Sequence, residues 1–134
     1  MRRIPTLVGI GGPFKGDLFP LEHFKPFVVG RSRNTDISLK RTEHYRLQTD
    51  EERDKDTSAK TVSARQFQIT YFNIKSIELK NLSSNGTRLD GKLIQDKAVI
   101  SDIMTRAHEI SFGADSRFRL EMREVQEENE PLPL

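Results

Sequence analysis

The chain has 134 residues, 34% of them hydrophobic, and 22 basic against 20 acidic side chains give a formal net charge of +2. That length suits one domain burying roughly two thirds of its unfolded surface, and so balanced a charge argues against a general nucleic-acid binder. Cysteine is absent, which excludes disulfide frameworks, thiolate metal sites and cysteine nucleophiles, and no run approaches the ~18 apolar residues of a membrane-spanning helix.

The N-terminal segment starts with basic residues but reaches glycines and a proline before any long apolar run. It carries no export signal, and the chain is read as soluble and cytoplasmic. Short apolar runs rich in β-branched and aromatic residues then recur between turn signals, almost none with a helical period. TLVGI (6–10) and DLFPL (17–21) flank GGPFKGD (11–17), expected to be the first hairpin loop. FVVGR (27–31) and DISL (36–39) follow. Residues 40–60 are dense in charge of both signs and poor in large apolar side chains, so they predict a long loop with room for a helical turn that does not line a core.

The strand rhythm returns with FQITYF (67–72), SIELKNL (76–82), TRLDGKLI (87–94), AVI (98–100), HEISFG (108–113) and RFRLEM (117–122). Many short strands with Gly-rich turns predict an all-β sandwich or barrel. Asn85-Gly86 and Asp90-Gly91 both read as type I′ hairpin turns, because these residue types accept positive φ. Residues 1–125 are expected to form the domain, and the acidic, proline-containing residues 126–134 a tail or linker.

Three strand–loop junctions carry the chemistry: Gly30-Arg31, Ser63, and Ser84-Asn85-Gly86. Gathered at one end of a sandwich, they would set a guanidinium, two hydroxyls and a carboxamide around one small volume, a site for an oxyanion such as a side-chain phosphate. A phosphate carries about −1.5 to −2 charge and three acceptor oxygens. Arginine supplies permanently charged planar donors, while the asparagine carboxamide can both donate to and accept from a peptide main chain.

In order and spacing these motifs resemble the forkhead-associated (FHA) family, whose members recognise phosphothreonine in partner proteins. The resemblance runs from GPFKGDLFPL through FVVGRSRNTDISL, TVSARQFQI and NLSSNGTRLDG to HEISFG and RFRLEM. It implies an all-β fold, a two-sheet β-sandwich with binding loops at one end. Arg31 matches the arginine that grips the phosphate, Ser63 the serine that hydrogen-bonds it, Ser84 a hydroxyl that also approaches it, and Asn85 the asparagine that reads the peptide backbone. Gly30 and Gly86 match loop-shaping glycines, and Ser32 and Arg65 are assigned to the same phosphopeptide surface. Two positions depart from the family pattern. Gln66 stands where a buttressing histidine is usual, and Ala64 stands where Arg or Asn often follows the serine, with Arg65 one place later. Lys40, Arg41, Arg46, Lys55 and Lys60 in the charged loop would extend the positive field.

Other readings are weaker. His23, His44 and His108 have no metal-ligand spacing, and a triad drawn from Ser63, His108 and Asp90 lacks a nucleophile elbow, so neither catalysis, a metal nor a cofactor is expected. The eight phenylalanines are spread through strands and read as core rather than as stacking platforms for nucleic-acid bases. Thr49 in LQTDEE resembles a kinase target. The expected function is phosphothreonine-dependent binding of a protein or peptide in Ser/Thr kinase signalling, recruiting a partner or regulating an effector domain attached in a longer gene product. A phosphate-independent scaffold of the same fold is the alternative, motivated by Ala64 and Gln66.

Overall fold

Period-two alternation sets the layers. In the last strand Phe118 and Leu120 are buried while Arg117 and Arg119 face solvent. The structure, a computed structural model, describes residues 2–125, so the expected tail at 126–134 lies outside the described residues. Eleven strands appear among them: β1 (Arg2–Gly11), β2 (Leu18–Pro20), β3 (Pro26–Gly30), β4 (Ile37–Ser38), β5 (Phe67–Asn73), β6 (Ser76–Asn81), β7 (Thr87–Leu89), β8 (Lys92–Ile94), β9 (Lys97–Ile100), β10 (His108–Phe112) and β11 (Ser116–Val125). One sheet has the order β2-β1-β11-β10-β7-β8 and the other β4-β3-β5-β6-β9. This is the two-sheet sandwich that the sequence predicts.

An aromatic cluster clamps the sheets together. Phe67 of β5 meets Phe112 of β10 edge-on at 5.3 Å, Phe112 stacks with Phe118 of β11 at 5.9 Å, and Phe14 closes the group 5.0 Å from Phe118. Such ring pairs add about 0.5–1.5 kcal/mol each beyond area burial. The expectation that all eight phenylalanines are core fails at Phe24, 69% exposed, and Phe72, 36% exposed. Phe24 sits in the turn between β2 and β3 at φ 63, and Phe72 lies on the outward side of β5, so sequence rhythm alone could not assign their faces.

The predicted loop at 11–17 is a 3-10 turn (Gly12–Phe14) that returns β1 antiparallel to β2. Gly9 is required there, since a Cβ would lie 1.8 Å from the Phe14 carbonyl oxygen. Asp90 and Gly91, with φ of 52 and 82, form the expected two-residue hairpin between β7 and β8. Asn85-Gly86 does not form a hairpin. Positive φ occurs at Gly86 but not at Asn85, and the flanking strands belong to different sheets, so residues 82–86 cross from one sheet to the other.

Residues 40–60 are more ordered than a loop. After a 3-10 turn (Leu39–Arg41) come α1 (Glu43–Arg46), α2 (Asp50–Asp54) and α3 (Thr57–Lys60), N-capped by the side chains of Thr42, Thr49 and Asp56. The segment also reaches the core, against expectation: Ala59 is buried and Tyr45 packs on the cluster. Isolated apolar residues do this because each one-turn helix needs only a single inward position.

His108 is buried between two carboxylates. Its Nδ1 lies 2.5 Å from Asp90 Oδ2 and its Nε2 2.6 Å from Asp102 Oδ1, while Arg106 reaches Asp90 at 3.1 Å and Asp102 at 3.4 Å. An ionised carboxylate only accepts, so a ring nitrogen that carries a proton donates to the carboxylate it faces. Burial alone would raise the Asp90 carboxyl, but the Glu109 N–H and the His108 ring outweigh it and hold it below its ordinary value. The His108 hydrogen bond likewise holds Asp102 down, against a smaller opposing effect of burial. Groups lowered on folding stabilise above the unfolded carboxylate range, and that contribution is lost as pH falls through their folded values. Thermal melts should therefore show stability falling as pH is lowered from 5 to 3. His108→Ala should cost about 3 kcal/mol at pH 7 and flatten that acid slope; an unchanged slope would contradict the clamp.

Candidate functional site

Arg31 leaves the end of β3, and Gly30 lets the next segment approach closely: a Cβ on Gly30 would stand 2.2 Å from the Ala64 carbonyl oxygen. The contact is locked by backbone bonds, Arg31 N–H to Ser63 O at 2.9 Å and Ser32 N–H to Ala64 O at 3.2 Å. The half-buried Arg31 side chain donates through Nη1 to the carbonyls of Lys60 at 3.2 Å and Val62 at 3.0 Å. No acidic side chain among the described residues pairs with it. Neutral carbonyls thus fix the guanidinium without cancelling its charge.

Ser63 stands beside it. Its Oγ is 2.6 Å from Ser83 Oγ, and its N–H donates to Gln66 Oε1 at 3.1 Å. Ser83 is buried and its Oγ also accepts the Asn85 N–H at 3.1 Å, while Asn81 braces the turn by accepting from Ser83 N–H at 3.1 Å and from Thr87 Oγ1 at 2.9 Å. Gln66, 1% exposed, joins the two loops: its Nε2 donates to the Gly86 carbonyl at 2.9 Å and Thr87 Oγ1 at 3.1 Å. Ser84, Asn85 and Arg65 are exposed, and their side chains have no partner among the described residues. Gly86, at φ 81, turns the chain tightly against Leu93.

The predicted junctions therefore meet at one end of the sandwich. Ser32 and Arg65 border an adjoining cavity of about 420 Å³ together with Val28, Thr35, Asp36 and Ala64. A sequence model of the FHA domain matches residues 27–113. The chain belongs to the FHA domain family. Solved FHA structures share its fold. The FHA domain of CT664 from Chlamydia trachomatis has a TM-score of 0.63 at 20% identity, over 88% of this chain and 96% of that one. An FHA domain from Arabidopsis thaliana gives 0.63 at 19%, over 94% and 92%. The N-terminal FHA domain of S. cerevisiae Rad53p, solved with a phosphothreonine peptide, gives 0.61 at 15%, over 90% and 94%. A search of curated proteins returned no match.

Three residues that brace this end of the FHA domain, Asn81, Ser83 and Thr87, were not among the site residues assigned from the sequence. All three lie in or beside the hydroxyl-rich stretch, yet only the fold separates inward hydroxyls from the outward one of Ser84. Of the basic residues in the charged loop, Arg41 is committed to the Thr35 and Asp36 carbonyls and Lys60 Nζ to the Asp54 carbonyl. Thr49 is exposed but serves as the N-cap of α2 in a capping box with Glu52. Among the described residues no acidic, histidine or cysteine cluster is arranged to hold a metal ion, and Ser63 makes no contact with His108. Among the described residues no helix is long and apolar enough to cross a membrane.

Replacing Gln66 by Ala strands the Ser63 N–H and the Gly86 carbonyl, while the Thr87 hydroxyl keeps its bond to Asn81, and each unpaired buried group costs ~1–3 kcal/mol. Denaturant unfolding of Gln66→Ala should show a loss of about 3 kcal/mol. A loss below ~0.5 kcal/mol would mean that the loops do not depend on this side chain.

Proposed function

We propose that this FHA domain is a non-enzymatic module that binds phosphothreonine in a partner protein, downstream of a Ser/Thr kinase. One observation carries the reading: a guanidinium without an acidic partner is held by the carbonyls of Lys60 and Val62, on the segment whose Ser63 hydroxyl bonds to Ser83, and Ser84 and Asn85 follow Ser83 with their side chains exposed. Arg31 would take two phosphate oxygens, with Ser63 and Ser84 donating to the rest. Asn85 would pair with the peptide main chain, leaving Ser32 and Arg65 to face residues beyond the phosphothreonine. A similar fold solved with a phosphothreonine peptide, and another from an analysis of phosphothreonine-dependent FHA domain interactions, support the assignment.

The exposed pair Phe24–Phe72, with ring centroids 6.1 Å apart, and nearby Ile74 give the scaffold reading a surface of its own. Gln66 no longer supports that reading, because it makes the bonds a buttress should.

Isothermal titration with a phosphothreonine peptide, its phosphoserine counterpart and the unphosphorylated form separates the two. Phosphothreonine should bind about tenfold tighter than phosphoserine, the worth of one buried methyl. Arg31→Ala should lose at least about 30-fold, the lower end of truncating a charged pair. Partner capture that ignores both phosphatase and Arg31→Ala would favour the scaffold.

A further inference from the structure

Lys15, Arg88 and Arg117 come from three separate parts of the chain and border one cavity of about 520 Å³. Strand register explains the meeting. Arg88 of β7 lies opposite Ser111 of β10, Ser111 opposite Arg117 of β11, and Arg117 opposite Gly11 of β1. The 3-10 turn after β1 then carries Lys15 to the same rim. Arg117 Nη1 is 3.3 Å from Glu109, but Lys15 and Arg88 have no acidic partner among the described residues. The one acidic side chain on the rim, Asp115, already accepts from the Ser58 hydroxyl at 2.8 Å.

Two further features suit an anion. Ser116 is 1% exposed and its Oγ lacks a hydrogen-bond partner among the described residues, an uncompensated polar group in the cavity wall. Gly12 and Gly113, at φ of 73 and 62, leave the opening free of side chains.

The cavity shares a wall with the Arg31 site. Ala114 N–H donates to Thr61 Oγ1 at 2.8 Å, a Cβ on Gly113 would lie 3.1 Å from Val62 Cγ2, and the Val62 carbonyl holds Arg31. The Gly113 wall is thus one packing contact from Val62, whose carbonyl holds the guanidinium, and an extended chain advancing ~3.3 Å per residue reaches from one to the other within a few residues.

Resting on the assignment of Arg31 to a phosphate, we propose that this cavity takes a second anionic side chain of the same partner, a carboxylate or another phosphate, a few residues along the chain from the phosphothreonine. The preferred ligand is then an acidic or doubly phosphorylated peptide. A nucleic-acid backbone fits less well, because Glu109 and Glu121 pair with Arg117 and Arg119 and interrupt the basic face. The added contacts are solvent-exposed, so the gain should be several-fold and fall with salt.

Fluorescence anisotropy on the full chain tests this with phosphothreonine peptides carrying neutral flanks, glutamates three and four residues away on either side, or a second phosphothreonine there. Glutamate and second-phosphate peptides should bind about fivefold or more tighter than the neutral one at low salt, and the size of each gain ranks the two anion sources. Lys15→Gln/Arg88→Gln should abolish the gain while binding the neutral peptide like wild type. No gain, or a gain kept by the double variant, overturns the proposal. If wild type binds no phosphothreonine peptide, the Arg31 assignment fails, and the cavity is read by amide-shift titration with inorganic phosphate. Shifts at Gly12, Gly113 and Ser116 that vanish in the double variant would uphold an anion site; their absence would overturn it. Stronger perturbation of these amides by a single-stranded oligonucleotide than by the acidic peptide would overturn the peptide assignment.

Discussion

Gln66 bonds to four separate parts of the chain. Its N–H donates to the Val29 carbonyl, its carbonyl accepts from Leu82 N–H, and its carboxamide accepts from Ser63 N–H while donating to the Gly86 carbonyl and the Thr87 hydroxyl. The strand bearing Arg31, the loop bearing Ser63 and the crossing that bears Asn85 are thereby fixed relative to one another from behind. A carboxamide does this well because it offers two donors and an acceptor in one rigid plane. Buried networks of this kind reward full satisfaction and penalise any missing partner, so the side chain of Gln66 ties the Ser63 loop to the Gly86 turn while its main chain ties both to β3 and Leu82.

The same logic explains why the binding end is built from both sheets. Residues 82–86 leave β6 of one sheet and enter β7 of the other, so the loop carrying Ser84 and Asn85 is anchored at both margins of the sandwich. Ser83 and Thr87 turn inward and use their hydroxyls to hold that crossing, leaving Ser84 and Asn85 outward. The hydroxyl-rich stretch is therefore divided between support and display. The Arg31 guanidinium is treated the same way: two carbonyls orient it, and its charge stays available.

Much of this was legible in the sequence. Short apolar runs rich in β-branched and aromatic residues located the strands, because such side chains pack well on a pleated sheet and turn residues bound them, and the order of Gly30-Arg31, Ser63 and Ser84-Asn85-Gly86 indicated loops that meet. What the sequence hid depends on partners distant in the chain. Asn-Gly is a sound hairpin signal, but whether the next strand pairs with the last one is a property of topology, and here β7 pairs with β10 instead. Phe24 and Phe72 have the same local character as core phenylalanines and differ only in the face they present. His108 looked isolated, since its carboxylate partners lie 18 and 6 residues away. The arrangement of Lys15, Arg88 and Arg117 likewise follows from register across three strands.

The central claim is that a phosphothreonine occupies the space between Arg31, Ser63 and the Ser84-Asn85 loop. Amide-shift mapping of the isotopically labelled chain with a phosphothreonine peptide tests it most directly. The account predicts the largest shifts at Arg31, Ser32, Ser63, Ala64, Ser84, Asn85 and Gly86, with Phe24, Phe72 and Ile74 unmoved. Shifts confined to the latter group, or an equal response to the unphosphorylated peptide, would contradict it.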